Sequence, residues 1–464
     1  MSGKAGQPVL TAAEMRAAEQ RWIDAGIGVG ELMRRAGTGA AEWIWRIAAG
    51  RPVTVLCGPG NNGGDGYVIA ETLRRRGLDM AVVAPLLPQT EAAREACAAY
   101  EGAIAGKRSG SVFVDCLFGT GLTRPLGGEL QALLNKLSEM HDYRVAMDLP
   151  SGVDTDSGRL LNADLPRYDL TLALGAWKRA HWLMPSMAVM GDRRLVDIGI
   201  NTPEHVTALS PRPRLHPPSA ETHKYTRGLV AVVGGAMPGA AVLASEAAMR
   251  AGAGYVKLFA GTSHPAAPAD LVVDHGEVAT ALRDERIAAV LIGPGLGRSD
   301  EAEGRLRAAL ASGHPLVIDA DALVLLKPDS CAGRDKPVVL TPHEGELARL
   351  CAAFRVEEQG KVAQARALAG ATGAIVLAKG PDTILTDGEQ LRFFPPGSSW
   401  LSVAGTGDVL AGIIASRMAV TDDPFRAAEE AVWLHGEAAR QCGPAFAASR
   451  LAETISEAYA KFLL

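Results

Sequence analysis

An apolar run, Val53 to Cys57, ends in Gly58-Pro-Gly-Asn-Asn-Gly-Gly-Asp-Gly66 and gives way to a helical pattern from Tyr67 to Arg76. Strand, glycine loop and helix in that order allow few folds. Backbone N–H groups converge in such a loop, and the helix N-terminus adds positive partial charge, so an anion site is expected. Gly58, Gly60 and Gly63 also satisfy Gly-x-Gly-x-x-Gly, the dinucleotide-cofactor spacing. A nicotinamide-binding Rossmann domain, however, needs an acidic residue about 20 positions further on, to hold the ribose hydroxyls. The next strand, Met80 to Ala84, runs instead into Pro85-Leu-Leu-Pro88. Asn61, Asn62 and Asp65 exceed what a phosphate loop requires, because an Asn carbonyl can hold a cation or a polar ring. The loop therefore suits a substrate better than a cofactor.

The same rhythm continues beyond the loop. A Thr11-Ala-Ala-Glu14 capping box opens a helix with Met15, Ala18 and Trp22 on one face, and a second helix runs from Leu32 towards Ile47. Strands are expected at Val53–Cys57, Met80–Ala84, Val112–Asp115, Tyr143–Asp148 and Asp169–Leu174. Such an alternation gives a doubly wound parallel sheet, with ligands beyond the carboxyl ends of its strands. The glycine loop, Asp115 and Asp148 all lie at such ends. Pro211, Pro213, Pro217 and Pro218 then mark a semi-rigid linker. A second series places strands at Leu229–Val233, Tyr255–Phe259, Ala289–Ile292, Leu316–Asp319, Val338–Leu340, Ile375–Leu377 and Thr383–Leu385. Its expected helices include Ala240–Ala251, Leu347–Ala353, Val362–Leu368, Thr406–Met418 and Ala427–Gln441. The glycine loops of the two series differ, so two unrelated α/β domains are expected: 1–211, a linker at 212–221, and 222–464.

Composition narrows the function classes. Of 464 residues 48% are apolar, and the net charge is −5, which gives no electrostatic case for nucleic acid or an anionic membrane. Six cysteines (57, 97, 116, 331, 351, 442) contain no Cys-x-x-Cys pair and are expected as free thiols in a reducing compartment. The first twenty residues are helix-like and charged, and the longest uncharged run, Gly228 to Ser245, is broken by glycines and a proline. A soluble cytoplasmic protein is expected.

In the first half, Leu32-Met33 with Ala36-Gly37, the Gly58–Gly66 loop, Asp115-Cys-Leu-Phe-Gly-Thr-Gly-Leu-Thr-Arg-Pro125 and Asp148-Leu-Pro-Ser-Gly-Val-Asp154 occur in order. This half resembles the NAD(P)H-hydrate epimerases, which interconvert the R and S forms of hydrated NADH or NADPH. The resemblance implies a Rossmann-like αβα domain. It also implies substrate contacts from Asn61, Asn62, Gly63, Gly64 and Asp65, from Gly119, Thr120, Gly121, Leu122, Thr123, Arg124 and Pro125, and from Asp148. It implies a potassium ion on Asn62, Asp115 and Ser151. Inverting a carbon that bears hydroxyl and nitrogen needs proton or hydroxide traffic, hence a positioned carboxylate with a cationic or hydroxyl partner. Asp148 is the candidate acid–base group, with Arg124 orienting or neutralising it.

In the second half, Gly405-Thr-Gly-Asp408 opens an uncharged helix, so its N–H groups form an anion-binding nest. An Asp there can act as base towards a hydroxyl attacking a phosphoryl group. No Walker motif occurs. His223-Lys-Tyr-Thr-Arg-Gly228, Gly293-Pro-Gly-Leu-Gly297, Asp319-Ala-Asp-Ala-Leu323, Thr341-Pro-His-Glu-Gly-Glu346 and Lys379-Gly380 surround it in order. Together they resemble the ribokinase-like NAD(P)H-hydrate dehydratases, which use ADP or ATP with Mg²⁺ to dehydrate the S form. By that resemblance Ala240, Gly295, His343 and Asp408 contact the hydrated nucleotide. Lys379, Gly380, Pro381, Asp382, Thr383 and Gly407 contact the adenine nucleotide. Asp408 is the candidate catalytic base. Departures from the family pattern fall at Ser398 to Ala404 and at Pro381-Asp382, where the missing proline N–H bears on nucleotide preference.

The leading reading is one bifunctional repair enzyme, an isomerase fused to a lyase. Two alternatives remain: a ribokinase-like vitamin or sugar-alcohol kinase, which shares Gly-Thr-Gly-Asp, and a first domain that only binds nucleotide. Thr341–Glu346 argues against the kinase, and Asn62, Asp115, Asp148 and Ser151 argue against the scaffold. Homo-oligomerisation is left open by the sequence.

Overall fold

The structure is a computed structural model and describes residues 6–104, 110–200 and 207–464. All expected site residues are among them; the first five residues of the expected first domain are not. The chain forms two compact units, 6–208 and 209–464.

The first unit contains β1 (Val9–Leu10), α1 (Ala12–Asp24), α2 (Val29–Ala48), β2 (Val53–Cys57), α3 (Asn61–Arg75), β3 (Met80–Val83), β4 (Gly110–Cys116), β5 (His141–Met147), β6 (Leu170–Leu174), β7 (Trp177–Lys178) and β8 (Asp192–Val196). Its main sheet runs β3-β2-β4-β5-β6-β8 and is parallel throughout. Val55, Val112 and Val114 face a core shared with α1, α2 and α3, while Leu56 and Phe113 face the one shared with helix Gly128–Glu139. Helices on both faces make the αβα sandwich expected from apolar strands alternating with helices. From β2 the chain moves outward to β3, then returns to β4 on the other side. The switch point, where such sheets open a crevice, therefore lies between β2 and β4.

One expectation is corrected at this crevice. The helix after β2 begins at Asn61, not Tyr67, so Gly63 to Gly66 belong to its first turns. Close packing explains those glycines. A Cβ on Gly63 would stand 1.9 Å from the Gly58 carbonyl oxygen, and one on Gly58 would stand 1.7 Å from that of Leu117. Here the glycines bring helix and loops together more than they shape a long phosphate loop.

The second unit's sheet includes, in spatial order, Val272–Asp274, Tyr255–Phe259, Leu229–Val233, Ile287–Ile292, Leu316–Ile318, Val338–Leu340 and Ile375–Ala378, all parallel. Ile384–Thr386 and Leu391–Phe393 extend it antiparallel. Helices Pro238–Arg250, Thr406–Val420, Pro424–Cys442 and Ala448–Ala460 bury one face. Its switch point lies between Leu229–Val233 and Ile287–Ile292, beside Gly234-Gly235 and Gly293–Gly297. The proline-rich segment does not stand free. Leu215 is buried, bridges to Leu463 and accepts from the Leu464 N–H, so this stretch is strapped onto the second unit. No helix among the described residues is long and apolar enough to cross a membrane. All six cysteines are free.

Candidate active sites

Asp148 sits one residue beyond β5 with φ at +61°, a left-handed conformation that costs an Asp about 1 kcal/mol or more. The surroundings hold it there. Its N–H donates to the Leu172 carbonyl at 2.8 Å, and its own carbonyl lies 2.7 Å from His181 Nε2. His181 Nδ1 accepts the Lys178 N–H at 2.9 Å, so the ring carries its proton on Nε2 and donates it to Asp148. Burial, then the charge of Lys178, push the His181 pKa down to about 4, which keeps that ring neutral.

The Asp148 carboxylate receives four donors: Lys178 Nζ at 2.6 Å, the Leu174 N–H at 3.2 Å, the Thr120 N–H at 3.2 Å and the Thr120 hydroxyl. Lys178 is 1% exposed and splits its ammonium between Asp148 and the Leu174 carbonyl. Burial works to raise the Asp148 carboxyl, but Lys178, by charge and hydrogen bond, and the Thr120 hydroxyl outweigh it and hold the group below the ordinary carboxylate value. Asp148 is therefore an ionised, fully clamped carboxylate. Its cation is Lys178 and not Arg124, whose side chain is exposed on the 119–125 loop. A lone lysine thirty residues on, in Gly175-Ala-Trp-Lys178, carried no motif. Its only sequence signal was a lysine four residues beyond an apolar strand.

The remaining expected residues divide into two groups. Gly119 lies between Asn62 and Asp148: a Cβ there would stand 3.2 Å from Asn62 Oδ1 and 3.4 Å from Asp148 Cβ. Asn62, Gly119, Thr120 and Asp148 thus come together at the crevice. Asn62 Oδ1 and Nδ2 are buried without a hydrogen-bond partner, a costly state that leaves room for a ligand. Asn61 is exposed and accepts the Thr90 hydroxyl at 2.7 Å. Asp65 is buried in α3, and burial, then Asp148 and Glu19, raise its carboxyl well above the ordinary value. Deeper in, Asp115 accepts from Ser151 Oγ (2.8 Å), the Ser151 N–H (3.0 Å), the Leu117 N–H (3.0 Å) and the Tyr168 hydroxyl (2.5 Å). Asp115 and Ser151 are engaged with each other, while Asn62 is not.

The second unit has a different cluster. Gly405, at φ +93°, is the N-cap of helix Thr406–Val420, and no side chain caps that end. A Cβ on Gly407 would stand 3.3 Å from Lys379 Nζ, so the nest and the expected nucleotide lysine are adjacent. Lys379 Nζ bonds Asp319 Oδ1 at 2.6 Å, and Thr341 Oγ1 donates to the same oxygen at 2.7 Å. Asp408, in the first turn, takes no such cation among the described residues. Burial, then the charge of Asp319, raise its carboxyl to about 7, against the pull of Lys379. Ala240 and Gly295 also meet, with a Gly295 Cβ position 3.1 Å from Ala240 Cβ.

His343 has a structural duty. Its Nδ1 accepts the Gly345 and Glu346 N–H groups at 3.0 and 3.3 Å, capping helix Glu344–Ala353. Its Nε2 lies 3.5 Å from Glu346 Oε1, on an exposed side chain. The departure at Pro381-Asp382 also has a structural reason. Asp382 is buried and pairs with Lys361 Nζ at 2.5 Å, which also donates to the Asp382 and Lys379 carbonyls. Lys361 ties down the loop that Gly380 and Thr383 close by mutual hydrogen bonds. Trp400 is half-exposed and fills no core.

Known families match both units. Residues 29–180 match the model of the YjeF-related protein N-terminus, and residues 230–461 match that of NAD(P)H-hydrate dehydratase. The bifunctional NAD(P)H-hydrate repair enzyme Nnr of Mycobacterium leprae is 35% identical over 439 residues, covering 88% of this chain and 89% of that protein. The chain belongs to the bifunctional NAD(P)H-hydrate repair enzymes. The family member from Mycobacterium tuberculosis is 36% identical over 430 residues, covering 87% of this chain and 88% of its own. Among solved structures, an ADP/ATP-dependent NAD(P)H-hydrate dehydratase from Bacillus subtilis, co-crystallised with ATP/Mg²⁺, is 28% identical. It covers 54% of this chain and 95% of its own, at a TM-score of 0.47. Membership in the repair enzymes accounts for two switch-point sites on one chain.

Proposed function

We propose that the first unit interconverts the R and S hydrates of NADH and NADPH, and that the second dehydrates the S form using ADP or ATP. The observation that carries this reading is the presence of both family matches on one chain, each over a unit with a carboxylate at its site. The fusion makes chemical sense, because a dehydratase alone restores only one epimer of a mixture.

In the first unit Asp148 is the base, ionised at neutral pH by Lys178, and Thr120 relays hydrogen bonding from the substrate loop. The 61–65 and 119–125 segments contact the substrate, with Arg124 at the exposed rim where a phosphate would lie. A potassium ion fits the hard oxygen donors here. Asn62 would hold it with its unpartnered carbonyl, beside the Asp115–Ser151 pair. Such an ion supplies fixed positive charge for anchoring anionic parts of the substrate.

In the second unit the Gly405–Asp408 nest receives the transferring phosphoryl group, with Lys379 beside it. The segment Lys379 to Thr383 and Gly407 contact the adenine nucleotide, whose phosphates would bring Mg²⁺ to neutralise their charge. Ala240, Gly295 and His343 contact the hydrated nucleotide. Asp408, poised near neutrality, accepts the ring hydroxyl proton as that oxygen attacks phosphorus. Phosphate then leaves with the C–O electron pair, assisted by the ring nitrogen's lone pair, and loss of a proton from the adjacent ring carbon to solvent restores the ring double bond. A cytoplasmic location suits these substrates.

The test mixes the protein with both epimers, Mg²⁺, K⁺ and ADP or ATP, and follows reduced-nicotinamide absorbance. Recovery of all material is expected. Recovery of the S fraction alone removes the epimerase; no recovery with either nucleotide removes the whole reading; a stable phosphorylated product identifies a kinase.

A further inference from the structure

The Asp148 clamp leaves one carboxyl near it without a role. Glu19 lies on α1, half-buried, and makes no hydrogen bond or ion pair among the described residues. The position of α1 is set at both ends of its first turns. The capping box at Thr11 and Glu14 starts it, and β1 pairs Leu10 with Lys178 just before it. Met15 Cε then lies 3.0 Å from where a Gly175 Cβ would stand, and Arg16 Nη1 lies 3.8 Å from the Gly121 Cβ position. Glu19 is one turn beyond both, on the face that looks onto β7 and the 119–125 loop.

Burial and the surrounding charges set the direction in which the Glu19 carboxyl is shifted. The charged groups around it are Lys178 on β7, Asp148 beyond β5, Asp65 on α3 and Arg16 on its own helix. Three carboxyls therefore surround one buried ammonium, and Asp148 holds that ammonium by direct contact. Burial raises the Glu19 carboxyl above its ordinary value; Lys178 opposes this and Asp148 reinforces it. Asp65 is likewise raised, but it is buried within α3, whereas Glu19 is partly open. A carboxyl held below its ordinary value beside one held above it is the arrangement that separates base from acid.

We propose that Glu19 is the acid that complements Asp148 in epimerisation, an assignment that rests on the epimerase reading of this unit. In one direction Glu19 gives its proton to the ring hydroxyl. The C–O bond breaks with its electron pair on oxygen, water leaves, and the ring nitrogen's lone pair forms C=N. A second water adds to the opposite face, its oxygen lone pair forming the new C–O bond as the C=N pair returns to nitrogen. Its surplus proton passes to Asp148 and returns to Glu19 through solvent. The substrate's formula is unchanged and no net proton is consumed.

The test uses the full-length protein and purified R-hydrate of NADH, with pH profiles for the wild type, Glu19→Gln and Glu19→Asp. The acid must be protonated, so wild-type conversion falls as pH rises through a value above the ordinary carboxylate range. Glu19→Gln is expected to lose about 100-fold or more in R-to-S rate, and with it that alkaline limb, while S-hydrate dehydration is unchanged. Glu19→Asp recovers part of the rate with a displaced limb. A Glu19→Gln rate within about threefold of wild type, with the same profile, overturns the inference. If Glu19→Gln does not fold, Glu19→Asp decides: a displaced limb supports the assignment and an unmoved one overturns it. Absence of R-to-S conversion in the wild type overturns the epimerase reading itself, and Glu19 falls with it.

Discussion

The two units solve the same geometric problem and then diverge in charge. Each opens a crevice at the switch point of a parallel sheet, and each closes it by pressing a glycine against a neighbouring loop. Gly58 meets the Leu117 carbonyl, and Gly235 meets that of Leu296 at a Cβ distance of 2.1 Å. Both crevices hold a half- or fully buried aspartate and a lysine. In the first, Lys178 touches the aspartate at the crevice; in the second, Lys379 touches Asp319 instead and leaves Asp408 to its neighbours' negative charge. One carboxylate is thereby locked ionised and the other titrates near neutrality. The lesson is that burial pushes both carboxyls up, and the placement of one ammonium decides which of them stays raised.

The largest expected effect comes from removing the titrating aspartate. Asp408→Asn should cut S-hydrate dehydration by about 10²–10⁴-fold while R-to-S conversion stays intact. Loss of both activities would show that the two sites are not independent. Lys178→Met tests the other half. It leaves Asp148 buried without its cation, so unfolding of the first unit should cost about 3–5 kcal/mol less, read by calorimetry. Epimerisation should fall with it, and dehydration of S-hydrate should not.

Stability against pH sharpens the contrast. The folded Asp148 carboxyl is held low, so its stabilisation is present above about pH 4 and is lost as pH falls through its folded value. The folded Asp408 carboxyl is raised, so it favours folding at acid pH and that favour is lost as pH rises from about 4 through about 7. Asp408→Asn should therefore flatten the melting-temperature profile of the second unit over that interval and leave the first unit's profile alone. The smallest expected effect tests the shared device. Gly58→Ala, overpacked against Leu117, should destabilise the first unit by about 1–3 kcal/mol and spare the second.

How far all this was legible follows from the range of each signal. Val53–Cys57, Leu229–Val233, Tyr255–Phe259 and Val338–Leu340 were placed to the residue, because buried parallel strands are short apolar runs bounded by glycine or proline. The start of α3 was missed. Asn61 and three glycines argue against helix locally, and only packing against Gly58, Met33, Cys57 and Cys116 makes those glycines necessary there. Asp148 and Asp408 stood out at strand and helix ends, as candidates whose roles still await the tests above. Their partners did not. Lys178, Glu19 and Lys361 act across the fold, 30, 129 and 21 positions from Asp148, Asp148 and Asp382. A lysine or glutamate with no motif around it reads as solvated surface until the chain is folded. Arg124 was favoured as the cation for the opposite reason: it sits inside a motif, yet the structure leaves it exposed.

The most direct test of the contrast measures both rates across pH in one full-length preparation, with saturating nucleotide and separated epimers. Dehydration of S-hydrate should rise with pH to a plateau with a midpoint near 7, because Asp408 must lose its proton to act. R-to-S conversion should show no such acid limb near 7, because Asp148 is already ionised. A dehydration rate flat across neutrality, or two acid limbs with one common midpoint, would contradict the account.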